Sequence, residues 1–346
     1  MMDIKVAIAQ LMAGQSLSRE EMSAVMTQIM TGEATQAQIG GFLVALTMKG
    51  ETVEEITGAA QVMRRLAAPV NVNVPVIVDT CGTGGDGAGL FNVSTAAAFV
   101  VAAAGGYVAK HGNRSITSST GSADLLEAAG VNLNIDAEQV SKCVESIGVG
   151  FMFAPAHHSA MKHAIGPRKE LGLRTIFNVL GPLTNPAGAK RQVLGVFDKT
   201  LCRPLAEVLQ ALGSEHVMVV SADDGLDEIS LAVNTHVAEL KEGVVSEYEI
   251  YPGTSGIEPQ NLDGLSVKNA QESLELVRGV LGNAGGERVQ KASDMVAINA
   301  GAALYVAGVA DSYSEGVALA QDTLATGLAG EKLKELVEMT ACFEEA

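Results

Sequence analysis

The chain has 346 residues, 47% of them hydrophobic and 18% charged, and a formal net charge of −17. This length allows about two domains around a large core, and the composition is that of an ordinary globular protein. The acidic balance argues against nucleic acid or an anionic membrane as partner, and no run reaches the ~18 apolar residues of a membrane span. The start, Met1-Met2-Asp3-Ile4-Lys5, lacks the regions of a secretory signal. Cys81, Cys143, Cys202 and Cys342 form no C-x-x-C pair, so a reducing cytoplasm is the expected setting.

In chain order, residues 1–72 read as a small all-helical domain. Ser18-x-x-Glu21, Thr35-x-x-Gln38 and Thr52-x-x-Glu55 are capping boxes, each followed by spaced apolar residues. Such short helices bury little alone. Their apolar positions Ile39, Phe42, Leu43 and Leu46 either pack inside the chain or seat a second copy, and a homodimer is expected. A segment near 160–188 is expected to complete this domain. From residue 73 to 346 the texture changes to alternating strand, glycine and helix. Strands are predicted near 75–80, 106–110, 150–154, 192–197 and 216–221, with helices near 93–104, 136–147 and 200–212. This alternation predicts an α/β domain with a doubly wound, mainly parallel sheet. Residues 235–251 read as an antiparallel hairpin around Glu242-Gly243, and the last third returns to helix.

Two loops carry the chemistry. Asp79-Thr80-Cys81-Gly82-Thr83-Gly84-Gly85-Asp86-Gly87 lies between the β-branched run Val74 to Val78 and a predicted capped helix start at Asn92-Val93-Ser94-Thr95. Glycines here allow left-handed backbone and close approach of a ligand, so loop N–H groups and the helix N-terminus can face a phosphate. Asp86 beside a phosphate implies an intervening divalent cation or a sugar hydroxyl. The loop matches neither G-x-x-x-x-G-K-[ST] nor G-x-G-x-x-G. The second loop, Lys110 to Ser122, concentrates Lys110, His111 and Arg114 with six hydroxyl residues, a phosphate-donor composition unlike that of a plain Ser/Thr linker. Further along, Asp223-Asp224-Gly225-Leu226-Asp227-Glu228 is either a solvated acidic turn or a pair of hard metal ligands.

The motifs GTGGDG…FNVST, KHGNRSITSSTGSAD, Phe153-Ala154-Pro155 with His158, Gly166-Pro167-Arg168, Arg174 to Pro186, and Asp224 to Glu228 occur in one order across nearly the whole chain. In this the chain closely resembles the anthranilate phosphoribosyltransferases. That resemblance implies a fold shared with nucleoside phosphorylases, with an active site between helical and α/β domains. It also implies transfer of phosphoribosyl from phosphoribosyl pyrophosphate to anthranilate, with Mg²⁺, in tryptophan biosynthesis. Carried over residue by residue, it places Gly82, Gly85, Asp86, Leu90, Asn92, Val93, Ser94, Thr95, Lys110, His111, Gly112, Asn113, Arg114, Ser115, Ile116, Thr117, Ser118 and Ser122 on the phosphoribosyl donor. Gly82, Asn113, His158 and Arg168 fall on anthranilate, and Ser94, Asp227 and Glu228 on the metal. No residue is assigned as a catalytic acid or base; His111 and His158 are candidates for positioning, and His158 alternatively caps a helix. Leu90 departs from the family's usual hydroxyl residue, and Ser159 replaces a common proline. A nucleoside phosphorylase would explain the two loops but not Arg168 or the Asp227-Glu228 pair as well. A non-catalytic paralogue binding nucleic acid or protein is opposed by the acidic charge and the intact phosphate loops.

Overall fold

The computed structural model describes residues 2–115 and 119–343, so Ile116, Thr117 and Ser118 of the expected donor site lie outside the described residues. Four helices open the chain: α1 (Ile4–Met12), α2 (Arg19–Met30), α3 (Gln36–Lys49) and α4 (Val53–Leu66). Reciprocal capping boxes form at Ser18/Glu21, Thr35/Gln38 and Thr52/Glu55, satisfying N–H groups that helix geometry leaves orphaned. There follow β1 (Val78–Gly82), α5 (Val93–Ala103), β2 (Val108–Gly112), α6 (Ser122–Ala129), α7 (Ala137–Ile147), β3 (Val149–Phe153), α8 (Ala154–His157), α9 (Lys162–Leu171) and α10 (Phe177–Leu180). Next come β4 (Arg191–Gly195), α11 (Cys202–Ala211), β5 (His216–Ala222), β6 (Thr235–Lys241), β7 (Val244–Ile250), α12 (Ala270–Leu281), α13 (Glu287–Ala307), α14 (Tyr313–Thr326) and α15 (Leu328–Cys342).

The sheet runs β3-β2-β1-β4-β5-β6-β7, parallel through β5 and antiparallel at β6 and β7. It is therefore the α/β, mainly parallel doubly wound sheet with a helical N-terminal part that the sequence predicts. The hairpin turns at Glu242 and Gly243, both at positive φ, 52° and 77°. The strand predicted at 75–80 begins only at Val78, because Pro75 has no N–H for a ladder; the Val78 N–H, by contrast, donates to Tyr107 O. Chain order reverses between β1 and β4, whose last residues Gly82 and Gly195 are register partners. Open α/β sheets bind ligands at this point, beyond the carboxyl ends of the strands.

Alternating side chains divide the interior. Val193, Met218 and Val220 join a core with α5 and the C-terminal helices, whereas Leu194, Val217 and Val219 join a core with α11 and the N-terminal helices. Ala164, Ile176, Phe177, Leu180 and Leu183 belong to that second core. Ile39, Phe42, Leu43 and Leu46, expected as a possible seam between copies, are fully buried in it. Those faces find internal partners because α1 and α9 pack on α3, so they offer nothing to a second subunit.

One ion pair is sealed in the helical part. Glu55 is fully buried, and its carboxylate accepts from Lys49 Nζ at 2.8 Å, Leu17 N–H at 2.9 Å, and Thr52 N–H and hydroxyl. Removing one partner of a buried pair leaves the other uncompensated, at a cost of about 3–5 kcal/mol. Glu55→Ala should lower the unfolding free energy by about that amount in urea titrations; a loss comparable to that of an exposed ion pair would contradict it.

Candidate active site

The glycine loop leaves β1 at Gly82, and Gly84, Gly85, Gly87 and Gly89 all take positive φ, which only glycine adopts without strain. A Cβ at Gly82 would overlap Asp227 Oδ2, and one at Gly195 would overlap the Asp227 carbonyl oxygen. The two strand ends are thus bare where the acidic turn crosses them. Asp227 Oδ2 accepts from the Gly84 N–H at 2.7 Å, and Glu228 Oε1 accepts from the Ser94 N–H at 3.2 Å. The metal candidates Ser94, Asp227 and Glu228 are therefore together at the start of α5, with the glycine loop. Desolvation and neighbouring carboxylates, Asp86 against Asp227 and Asp227 against Glu228, push Asp227 up to about 6 and Glu228 to about 8. Desolvation also raises Asp86. Among the described residues no three His, Cys, Asp or Glu side chains form a complete metal shell. Two carboxylates and a hydroxyl fit Mg²⁺ only when phosphate oxygens supply the rest.

Asn92 occupies the N-cap position of α5 but does not cap it. Its side-chain oxygen accepts from Ser273 Oγ at 2.7 Å and Thr120 Oγ1 at 3.2 Å. This corrects the expected capped start: the Val93 N–H donates to Phe91 O at 2.7 Å, and the Ser94 N–H is taken by Glu228 rather than by a cap. Val93 and Thr95 are buried, Thr95 with a hydroxyl lacking a partner among the described residues, and Leu90 pairs in an antiparallel bridge with Ser266.

Lys110 is buried in the middle of β2, donating to Thr80 O and to Ser94 Oγ at 3.3 Å. Its neighbour His111 donates its N–H to Asp79, whose other oxygen accepts from Asn185. The rings of His111 and His158 stand 5.1 Å apart, each with a buried Nε2 lacking a partner among the described residues. Desolvation, with His158 and His157 acting on His111 and His157 acting on His158, drops His111 to about 3 and His158 to about 4, so both are neutral near pH 7. His158 makes no side-chain cap, so its alternative role is not the one adopted. Arg168, half-buried on α9, lies over the Phe177 ring at 5.1 Å, and no carboxylate pairs with it among the described residues. Desolvation lowers its pKa.

The rest of the second loop is engaged with protein. Arg114 pairs with Glu127 and Asp124, Asn113 Oδ1 accepts from Arg114 N–H, Ser115 N–H donates to Asp124, and Ser122 opens α6. Arg114 is thus directed at Glu127 and Asp124 of α6. Gly112 leaves space that a Cβ would take from Ser122 Oγ. Sequence reading did not single out Asp79, Asn185 or Arg174. Arg174 stacks on Phe197 at 4.0 Å and donates to the Gly85 carbonyl; its signal was its place, six residues after Arg168, inside the quoted motif.

Fold and site define a glycosyltransferase. Residues 5–67 match the family description "Glycosyl transferase family, helical bundle domain" and residues 74–330 match "Glycosyl transferase family, a/b domain". An anthranilate phosphoribosyltransferase of Cellvibrio japonicus is 67% identical over 339 residues, covering 98% of this chain and 99% of that protein. One from Hahella chejuensis is 65% identical over 344 residues, covering 99% of each. The chain belongs to the anthranilate phosphoribosyltransferase family, and it is a pentosyltransferase. The crystal structure of the Thermus thermophilus enzyme superposes with a TM-score of 0.91 at 42% identity, covering 97% of this chain and 99% of that one. The Saccharomyces cerevisiae enzyme in complex with PRPP and Mg gives 0.89 at 26% identity, covering 98% of each.

The raised Glu228 has a measurable consequence. A carboxyl whose pKa is higher in the fold than in the unfolded chain stabilises the fold while protonated. That contribution is fully present below the ordinary value of 4.5 and lost as pH rises through about 8. Without metal, Glu228→Gln should therefore gain stability relative to the parent between pH 5 and pH 8 and hold a constant advantage above. A pH-independent difference in urea midpoints would contradict the assignment.

Proposed function

We propose that this site performs its family's reaction, transfer of phosphoribosyl from phosphoribosyl pyrophosphate to the amine of anthranilate with release of pyrophosphate, through charge neutralisation and positioning. The observation that supports this most is the meeting of the glycine loop, the start of α5 without a side-chain cap and the Asp227-Glu228 pair at one strand end. Gly82, Gly85, Asp86, Leu90, Asn92, Val93, Ser94, Thr95, Lys110, His111, Gly112 and Ser122 would surround the donor, whose pyrophosphate faces loop N–H groups. Arg114, Ser115 and Asn113 would join after leaving their present partners. Mg²⁺, held by Ser94, Asp227 and Glu228 together with diphosphate oxygens, supplies neutralisation of the leaving group.

On the other side, Arg168 offers a guanidinium without a carboxylate partner among the described residues, suited to the anthranilate carboxylate through a two-point pair. His111 and His158 are too weakly basic, at about 3 and about 4, to act as efficient general bases at neutral pH. Their unpartnered Nε2 atoms instead suit acceptance from the aromatic amine, with Asn113 and Gly82 lining the same pocket. The amine needs little activation, because its lone pair is already free near pH 7. Domains are assigned at 1–72, with the 160–188 segment, and 73–346, the cleft between them holding anthranilate.

Arg168→Ala should raise KM for anthranilate roughly 10- to 100-fold, the worth of a charge-assisted pair, and that for the donor far less. Arg168→Lys should recover part of the loss. Equal effects on both substrates would remove Arg168 from this role. Asp227→Asn and Glu228→Gln should each raise the Mg²⁺ concentration for half-maximal rate, and an unchanged metal dependence in both would exclude them as ligands.

The protein is also proposed to be a cytoplasmic homodimer. All four cysteines are free, as a reducing compartment requires. With the faces first expected at the seam buried, the surface that fits a second copy lies on α1 and α3, where Val6, Met12 and Met48 are 56%, 77% and 84% exposed. Light scattering should give about twice 35.7 kDa, and Met48→Glu should shift the particle towards one chain. A monomer at micromolar concentration would refute the dimer.

A further inference from the structure

We infer that Ser273, in the first turn of α12 and outside every motif that marks the site, is a positioning residue for the phosphoribosyl donor, acting through Asn92. The inference rests on the donor-site reading of Asn92 given above. The two residues are 181 positions apart in the chain and bonded twice: Ser273 Oγ donates to Asn92 Oδ1 at 2.7 Å, and Asn92 N–H donates to Ser273 Oγ at 3.1 Å. Ser273 is fully buried. A single hydroxyl thus fixes both the backbone and the side chain of the residue preceding α5.

The chemistry of the amide gives this contact its effect. Thr120 Oγ1 also approaches Asn92 Oδ1, at 3.2 Å, so hydroxyl donors occupy the oxygen side and the NH₂ is turned the other way. That NH₂ reaches Thr120 O only at 3.5 Å, the limit of a hydrogen bond, and is therefore available to an acceptor-rich ligand such as a sugar phosphate. If the amide turned over, its oxygen would face the phosphate and repel it. Free rotation about χ2 would make that orientation accessible, and Ser273 prevents it.

Ser273 is itself held in place. Asn269 caps α12 by accepting from Glu272 N–H at 3.0 Å, and the preceding strand segment is fastened to the exit of the glycine loop. Phe91 N–H donates to Leu265 O at 3.2 Å, Val267 N–H donates to Gly89 O at 2.9 Å, and Leu90 and Ser266 form an antiparallel bridge. A distant helix and a strap thereby register the donor loop from behind, where no ligand reaches.

The test is steady-state kinetics at saturating Mg²⁺ on Ser273→Ala, Asn92→Ala and the double variant, with melting temperatures alongside. Ser273→Ala should raise KM for phosphoribosyl pyrophosphate roughly 3- to 10-fold, the effect of one neutral hydrogen bond, and leave KM for anthranilate within about twofold. In the Asn92→Ala background the same substitution should add clearly less than it does alone, because the side-chain part of its effect passes through the missing amide and only the bond from the backbone N–H remains. Additive losses in the double variant, or equal rises for both substrates, would overturn the inference while leaving the donor-site reading intact. If Asn92→Ala alone leaves the donor KM unchanged, that reading fails and takes the inference with it. Ser273→Cys, close in size and a weak donor, guards against misfolding. A partial rise in donor KM at an unchanged melting temperature supports the role, and no rise overturns it.

Discussion

Where β1 and β4 end side by side, Gly82 and Gly195 carry no side chains, and the chain at Asp227 fills the space they leave. Close packing tolerates no added atom there, so the acidic turn and the glycine loop are fixed relative to each other by backbone contact. The rest of the site follows from that approach. Gly84 N–H reaches Asp227, Ser94 N–H reaches Glu228, and Lys110 is enclosed between Thr80 and Ser94 beneath them. Residues more than 130 positions apart become one electrostatic unit.

That unit is poised unevenly, and the unevenness serves binding. The protein carries a net charge of −17, so long-range attraction for a polyphosphate is absent. Positive groups are local instead: the peptide N–H groups of the glycine loop, the buried Lys110 and the Arg168 guanidinium, which no carboxylate pairs among the described residues. Asp227 and Glu228 are uncomfortable without a cation, as their raised proton affinity records. In the proposed complex a hard dication brought by a diphosphate would relieve the repulsion, so metal and donor would each make the other's binding more favourable. The histidines are tuned the opposite way. Burial keeps them neutral, so in the proposed complex Arg168 would be the full charge facing the anthranilate carboxylate.

Much of this was legible in residue order. Capping boxes at Ser18, Thr35 and Thr52 announced helices because their hydrogen bonds close within four residues. The strand, glycine and helix order announced a phosphate loop for the same local reason. The hairpin at Glu242-Gly243 needed only a turn and two alternating runs. Long-range matters were not so readable. Ile39, Phe42, Leu43 and Leu46 had the pattern of an apolar face, but periodicity says only that a face is covered, never by what; here α1 and α9 cover it. Asn92 had the chemistry of a cap, yet Ser273 and Thr120 claim its side chain from outside the local segment. Arg114 had the chemistry of a phosphate ligand, and its pairing with Glu127 of α6 was not readable from the loop.

The sequence by itself therefore determined the elements, their order, the parallel sheet and the residue types that the chemistry requires, because each depends on hydrogen bonds and side-chain periodicity over a few residues. Tertiary structure alone decided which of those residues meet. Asp227 touching Gly82, His158 facing His111, Asp79 bridging His111 and Asn185, and Ser273 bonded to Asn92 join segments tens to hundreds of residues apart. Such contacts form when close packing of the two cores on either face of the sheet brings distant backbones within hydrogen-bond range, a distance that no local pattern encodes.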